Sequence, residues 1–466
     1  MGKTIKNIVI AVFAVLAGNA LYAQSNSNTF KVPAYEKFTL SNGLTIYLME
    51  QHEVPTISLS VIIPAGAIYD GPKAGLASLT ASALQFGTKS YTKNLIEDEL
   101  DFAGANLETY ASKESAGLSA KFASKDQDKI LPIIKEILIN PTFNAEEFAK
   151  EKKRVLVGLE QAKESPRSVI NSYYDKLIFG DHVYGNPVSG SPLTINKFTV
   201  EDLKSFYSAN YSATGSAIAI VGDFDTKEMK AKASKLFAEW RKGTRQQNLA
   251  SQPVAVPASA RVLLVNKEDA RETTFLIGGL GISRNNPDYV AIDVVNTVFG
   301  GRFTSMLNDE LRVNSGLTYG ANSRFSTLKN SGTFAISTFT ANKTTGPAIN
   351  KALEVLNTLH SKGINEENLT SAKNYVKGLL PPKFETSGQL AGLLTSMFWY
   401  DYDESYINNF EKNVNELTAM KVKQIINTYF TKDKLQFVLI GKAAEIKEIA
   451  GKLGTVIEKQ IKADGF

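Results

Sequence analysis

The chain repeats itself at a spacing of about 220 residues, which confines it to folds built by duplication. Phe143-Asn144-Ala145-Glu146-Glu147-Phe148 resembles Ile364-Asn365-Glu366-Glu367-Asn368-Leu369 at an offset of 221. Gly158-Leu159 matches Gly378-Leu379 at 220, and Leu203-Lys204-Ser205-Phe206 matches Val422-Lys423-Gln424-Ile425 at 219. Ala217 to Gly222 matches Gln436 to Gly441, again at 219. One pair carries little weight. Four in order at near-constant offset define two homologous units. Between them, Lys242 to Pro257 is polar and then rich in Pro and Ala, as interdomain linkers are.

Local patterns within each unit mix strands and helices. Phe38 to Met49 alternates around Asn42-Gly43, a hairpin signal. Thr56 to Pro64 has strand alternation. Helical patterns cover Gly75 to Phe86, Gln127 to Leu138, Ala145 to Ala162 and Thr226 to Trp240, and Ala217 to Val221 is a buried strand. The expected class is α+β, each domain an antiparallel-rich sheet with helices on one face. The expected division is a first domain over 30–245, a linker over 246–258 and a second domain over 259–466.

The N-terminus has the pattern of a secretory signal over residues 1–23, followed by a polar tether over 24–29. Lys3 and Lys6 precede an apolar run from Ile8 to Leu16, then Ala20-Leu21-Tyr22-Ala23-Gln24. Cleavage fits after Ala23, and Ala20 is the alternative. An uncleaved anchor is the other reading, but the run is short and Gly18-Asn19 interrupts it, against the ~20 apolar residues of a span. No other segment is long and apolar enough to span. The expectation is a secreted protein, in a bacterial periplasm. The absence of cysteine excludes disulfides, thiol catalysis, Cys-based zinc sites and a lipidated N-terminal Cys. The net charge is +5, and losing Lys3 and Lys6 with the signal leaves +3, which points to no nucleic-acid partner. Lys152-Lys153-Arg154 is read as a solvated helix face.

The ordered motifs resemble the pitrilysin/insulinase zinc peptidases, in particular the mitochondrial processing peptidase-like branch. Phe38-Thr39-Leu40-Ser41-Asn42-Gly43-Leu44 is similar to the family's first strand and turn. Gly75-Leu76-Ala77 and Gly87-Thr88 bracket its zinc helix. Phe179 to Gly185 and Val221-Gly222-Asp223 resemble family loops. Gly300-Gly301-Arg302-Phe303, Glu310-Leu311-Arg312 and Gly316-Leu317-Thr318-Tyr319 match in the second half. The resemblance runs from about Phe30 to the C-terminus. It implies two homologous halves arranged as a clamshell around unfolded peptide.

The resemblance also implies where the chemistry belongs. Ser78, Ala81 and Ser82 stand where the family carries the His, Glu and His of H-x-x-E-H. That motif sets two imidazoles one turn apart beside a general base. The third ligand, a glutamate, falls at Gly158, and Glu160 lies about 200° further round that helix. Ser, Ala and Gly cannot bind zinc, so no metal and no cofactor is expected on this chain. The three histidines, His52, His182 and His360, have no ligand spacing. No G-x-S-x-G elbow or P-loop exists, and Gly279-Leu280-Gly281 is only a partial dinucleotide pattern.

In the family, an Arg and a Tyr seven residues apart bind the substrate backbone, and Arg312 and Tyr319 hold that spacing. Read alone, they are a surface helix residue and a packed strand residue. Gly300-Gly301 reads as a helix C-cap and, in line with the resemblance, as a flexible loop against peptide, and the two can both hold. The reading is a secreted, non-catalytic subunit of a two-chain peptidase. It pairs with a homologous zinc-bearing subunit, binds unfolded peptide and supplies Arg312 and Tyr319. The alternative is a peptide-binding or scaffold protein of the cell envelope with no part in catalysis.

Overall fold

The computed structural model describes residues 30–244 and 247–462. The signal and tether expected over 1–23 and 24–29 lie outside them. The first sheet is built from β1 (Glu36–Thr39), β2 (Thr45–Glu50), β3 (Thr56–Ile63), β4 (Asn106–Ala111), β5 (Ala116–Ala123) and β6 (Ala217–Gly222). Its order is β1-β2-β6-β3-β5-β4. The second comprises β7 (Arg261–Asn266), β8 (Glu272–Leu280), β9 (Ala321–Thr327), β10 (Gly332–Ala341), β11 (Gln436–Gly441) and β12 (Thr455–Gln460). Its order is β12-β7-β11-β8-β10-β9.

Five strands of each sheet correspond position by position, and so do their directions. β2 runs parallel to β6 as β7 does to β11, and the remaining pairs on that side are antiparallel. The outer edge breaks the symmetry. β1 is antiparallel to β2, whereas β12 is parallel to β7. Connection length explains the difference. The tight Leu40–Leu44 loop can only reverse the chain, while β12 follows a crossover helix, Ala443–Gly451. Gly43 takes φ +91° in that loop, and the Asn42 amide donates to the carbonyls of Phe237 and Trp240, both at 2.9 Å. The hairpin signal therefore also fixes the end of the helix Thr226–Phe237.

Each domain's own helices lie on one face of its sheet, over a core of alternate strand residues such as Ile46, Leu48, Ile218 and Ile220 in the first half. The opposite faces are covered by exchange. The helix Pro166–Phe179 leaves the first half and packs on β8 and β11 of the second. The helix Ser387–Tyr400 leaves the second and packs on β3 and β6 of the first. Both start and end points are 221 residues apart, so the exchange obeys the repeat. Tyr174 donates to the Phe334 carbonyl at 2.6 Å, and Ser60 meets Thr395 at 3.0 Å across the reciprocal contact. This is why β6 and β11 are buried at every position.

The β4–β5 and β9–β10 turns meet between the halves. Glu114 accepts from the Lys329 N–H at 3.0 Å and from the Tyr184 hydroxyl. Burial raises the Glu114 carboxyl above the usual range. Lys329 lies over the Trp399 ring at 4.8 Å, which ties the exchanged helix to the same junction. Among the described residues, no helix is long and apolar enough to cross a membrane.

Candidate functional site

Ser78, Ala81 and Ser82 do lie on one helix, Leu76–Ala83. It packs against the helix Ala145–Ala162, which carries Gly158. The two helices that the resemblance assigns to a metal site are thus in contact, and the positions it names hold Ser, Ala, Ser and Gly. None of these side chains is an imidazole or carboxylate, so the residues present do not fit zinc. Among the described residues, no group of three or more metal-ligating side chains converges elsewhere. Glu160 is exposed and pairs with Lys163 at 2.9 Å.

The histidines are engaged in local structure. His52 bonds to Asp223 at 2.8 Å, and His360 donates to the Phe430 carbonyl at 2.6 Å. His182 accepts from the Tyr184 N–H and donates to the Gln252 carbonyl, both at 3.1 Å. Lys152 donates to the carbonyls of Asn196 and Phe198, and Arg154 grips Glu151 through two bonds, so that basic run braces its helix.

Gly158 is exposed, and a Cβ there would meet nothing within 4 Å. Gly158→Ala should therefore stabilise the chain by about 0.5–1 kcal/mol, read from the urea midpoint. A destabilised variant would show that the glycine is needed for space.

Asp70 anchors the start of the helix Leu76–Ala83. Its buried carboxylate accepts from the N–H groups of Gly75 and Ala77, both at 2.8 Å. Burial pushes its pKa up to about 7, with the backbone bonds pulling the other way. The folded pKa stands above the ~3.9 of an unfolded aspartate, so the folded chain holds this proton more tightly. That stability is complete below about pH 4 and is lost as pH rises through about 7. The melting temperature should fall across that window, and Asp70→Asn should flatten the slope. An unchanged slope in the variant would place the pH dependence elsewhere.

The second-half residues come together. Arg312, Tyr319, Gly300 and Gly301 all line one cleft of about 700 Å³. Ser78, Ala81, Ser82 and Gly158 are not among its lining residues. Two π-helical turns shape it. The helix Tyr289–Asn296 widens into a π turn over Thr297–Gly301, so the glycines lie in its last turn. Gly300 is buried against β9, where a Cβ would come within 2.5 Å of the Ser323 nitrogen, whereas Gly301 is exposed. Arg312 lies in the second π turn, Asp309–Asn314. Such turns recur at functional sites.

The chain then reverses at Gly316, with φ +60°, and the Leu317 N–H returns to the Leu311 carbonyl at 2.8 Å. Thr340 donates to the Leu317 carbonyl at 2.6 Å, which pins the segment carrying Tyr319 onto β10. Tyr319 is 83% exposed and stacks on Phe339 with ring centres 6.4 Å apart. The Arg312 guanidinium lies 4.6 Å over Phe303, itself 67% exposed. The geometry presents a guanidinium and a phenol as donors in one open cleft. Arg167 also lines it, from the exchanged helix. No pattern in the sequence singles out Arg167, because only the helix exchange brings it there.

Comparison with known proteins agrees with this architecture. The profile described as "Insulinase (Peptidase family M16)" matches residues 45–191, and "Peptidase M16 inactive domain" matches residues 197–376. Together they span well over half of the chain, which belongs to the insulinase family, peptidase family M16. An uncharacterized zinc protease of Rickettsia felis is 26% identical, covering 73% of this chain and 82% of its own. Cytochrome b-c1 complex subunit 1 of Bos taurus is 28% identical, covering 61% of this chain and 58% of its own. The crystal structure of a peptidase M16 inactive domain from Pseudomonas fluorescens superposes with TM-score 0.82 at 27% identity, covering 88% of this chain and 98% of that one. The fold is the family's two-domain clamshell fold.

Proposed function

We propose that the chain is a secreted, zinc-less, non-catalytic subunit of a two-chain peptidase. A homologous partner with an intact H-x-x-E-H helix carries the metal. This chain binds unfolded peptide and offers Arg312 and Tyr319 to the partner's site in trans. One observation carries the reading: Arg312, Tyr319, Gly300 and Gly301 share one cleft, while the metal positions hold Ser78, Ala81, Ser82 and Gly158.

Two further features support it. The cleft is open to solvent, with Phe303 67% and Tyr319 83% exposed, so a peptide can reach its lining. The bovine relative is by name a subunit of a complex.

The test is zinc content and peptide cleavage for this chain alone, for a zinc-bearing homologue from the same genome, and for the two mixed. The expected result is no stoichiometric zinc and no cleavage from this chain, with cleavage greatest in the mixture. Zinc-dependent cleavage by this chain alone would overturn the proposal. The scaffold reading draws on the exposure of Tyr319 and the stacking of Arg312 on Phe303, neither of which needs a substrate. It predicts a complex indifferent to both side chains.

A further inference from the structure

We infer that the cleft around Arg312 and Tyr319 selects acidic peptide segments, an inference that rests on the peptide-binding reading above. Three guanidiniums line it, from Arg167, Arg302 and Arg312, and among the described residues its lining holds no aspartate or glutamate. Each is laid over a ring. Arg167 lies 3.5 Å over Phe339, Arg312 lies 4.6 Å over Phe303, and Arg302 lies 6.0 Å from the Tyr375 centre.

Stacking uses the face of a guanidinium and holds its plane, leaving the in-plane N–H fork for a carboxylate. Arg302 donates from Nε to the Thr304 carbonyl at 3.4 Å and from Nη1 to the Ser371 hydroxyl at 2.9 Å, which leaves Nη2 for a ligand. Arg167 has Glu272 at 3.8 Å, but both side chains are more than half exposed, so that pair holds it weakly. An incoming carboxylate meets three cationic side chains along one cleft. Arg167 comes from the first half of the chain and Arg302 and Arg312 from the second, so the charge of the cleft exists only in the folded, helix-exchanged molecule.

The aromatic rings add a second requirement. Phe303, Tyr319, Phe339 and Tyr375 give the cleft apolar walls between its charges. An extended segment with acidic side chains spaced by small or apolar residues suits both. A basic segment meets like charge at three points.

The experiment uses the mature chain and two fluorescent, unstructured peptides of equal length, one carrying Glu and one carrying Lys at the same positions. Anisotropy should show the Glu peptide binding about 10-fold tighter at low salt, equivalent to ~1.4 kcal/mol. The ratio should shrink as salt rises, because exposed pairs are screened. Arg167→Gln and Arg302→Gln should each cut the ratio at least about 3-fold, and the Lys variants, which keep the charge but lose the stacked fork, should fall between the Gln variants and the unchanged chain. Equal affinity for the two peptides, or preference for the Lys peptide, overturns the selectivity and leaves peptide binding standing. Binding of neither peptide overturns peptide binding and the selectivity with it.

Discussion

Leu394→Ala, a change in the second half of the chain, is expected to destabilise the first half together with the second. Leu394 is fully buried on the exchanged helix Ser387–Tyr400, among Tyr47, Met49, Ala217, Ala219 and Val221 of the first sheet. Truncation removes three carbons from a packed site and costs about 2–5 kcal/mol. Against a typical total of about 5–15 kcal/mol, that is a large share. The consequence reaches further than its size. Without that helix, the outer face of β6 is bare, and with it an apolar surface of the first half. The chain holds two tryptophans, which serve as separate probes. Trp240 is buried in the first-half core, and Trp399 sits on the exchanged helix. Single-tryptophan versions followed in urea should show one shared transition, moved to lower urea in Leu394→Ala. A Trp240 transition that stays in place while Trp399 moves would show that the halves fold independently. The same contacts bear on motion. Swinging the halves apart would strip both exchanged helices from their sheets.

Much of this architecture is legible in the sequence because its signals are local. The helix Ala145–Ala162 and the strand starting at Thr56 follow from periodicity alone, and the duplication follows from spacing. The exchange is not legible that way. β6 and β11 are apolar at nearly every position, which signals burial on both faces but not which segment provides the cover. A partial signal existed in Ser387–Tyr400, whose Leu390, Ala391, Leu393, Leu394 and Met397 leave little polar face, as in a helix buried all round. Within the site, Arg312 and Tyr319 were readable only through the family resemblance, and the structure puts the two in one cleft. Arg167 was not, since its place depends on a long-range packing choice. Asp70 was missed for another reason. It caps a helix from five and seven residues upstream of the N–H groups it binds, outside the usual N-cap position.

With a zinc-bearing partner present, Arg312→Ala and Tyr319→Phe are expected to lower kcat far more than they raise KM. Donors matter most where charge develops, and a scissile carbonyl gains negative charge only as the attacking oxygen bonds to carbon. Loss of one such donor typically costs about 10²–10³ in kcat. Tyr319→Phe isolates the hydroxyl, because the ring can keep its stacking on Phe339. Arg312→Ala removes the guanidinium and its contact with Phe303 together, so Arg312→Lys is the companion variant that keeps charge and loses the planar fork. If both groups serve one oxygen, the double variant falls short of the product of the single effects. A rise in KM with unchanged kcat would make the pair a ground-state clamp on the peptide backbone. No change in either constant would remove Arg312 and Tyr319 from the reaction and leave the chain a scaffold. The zinc on the partner is common to all these variants, so any difference among them belongs to the cleft on this chain.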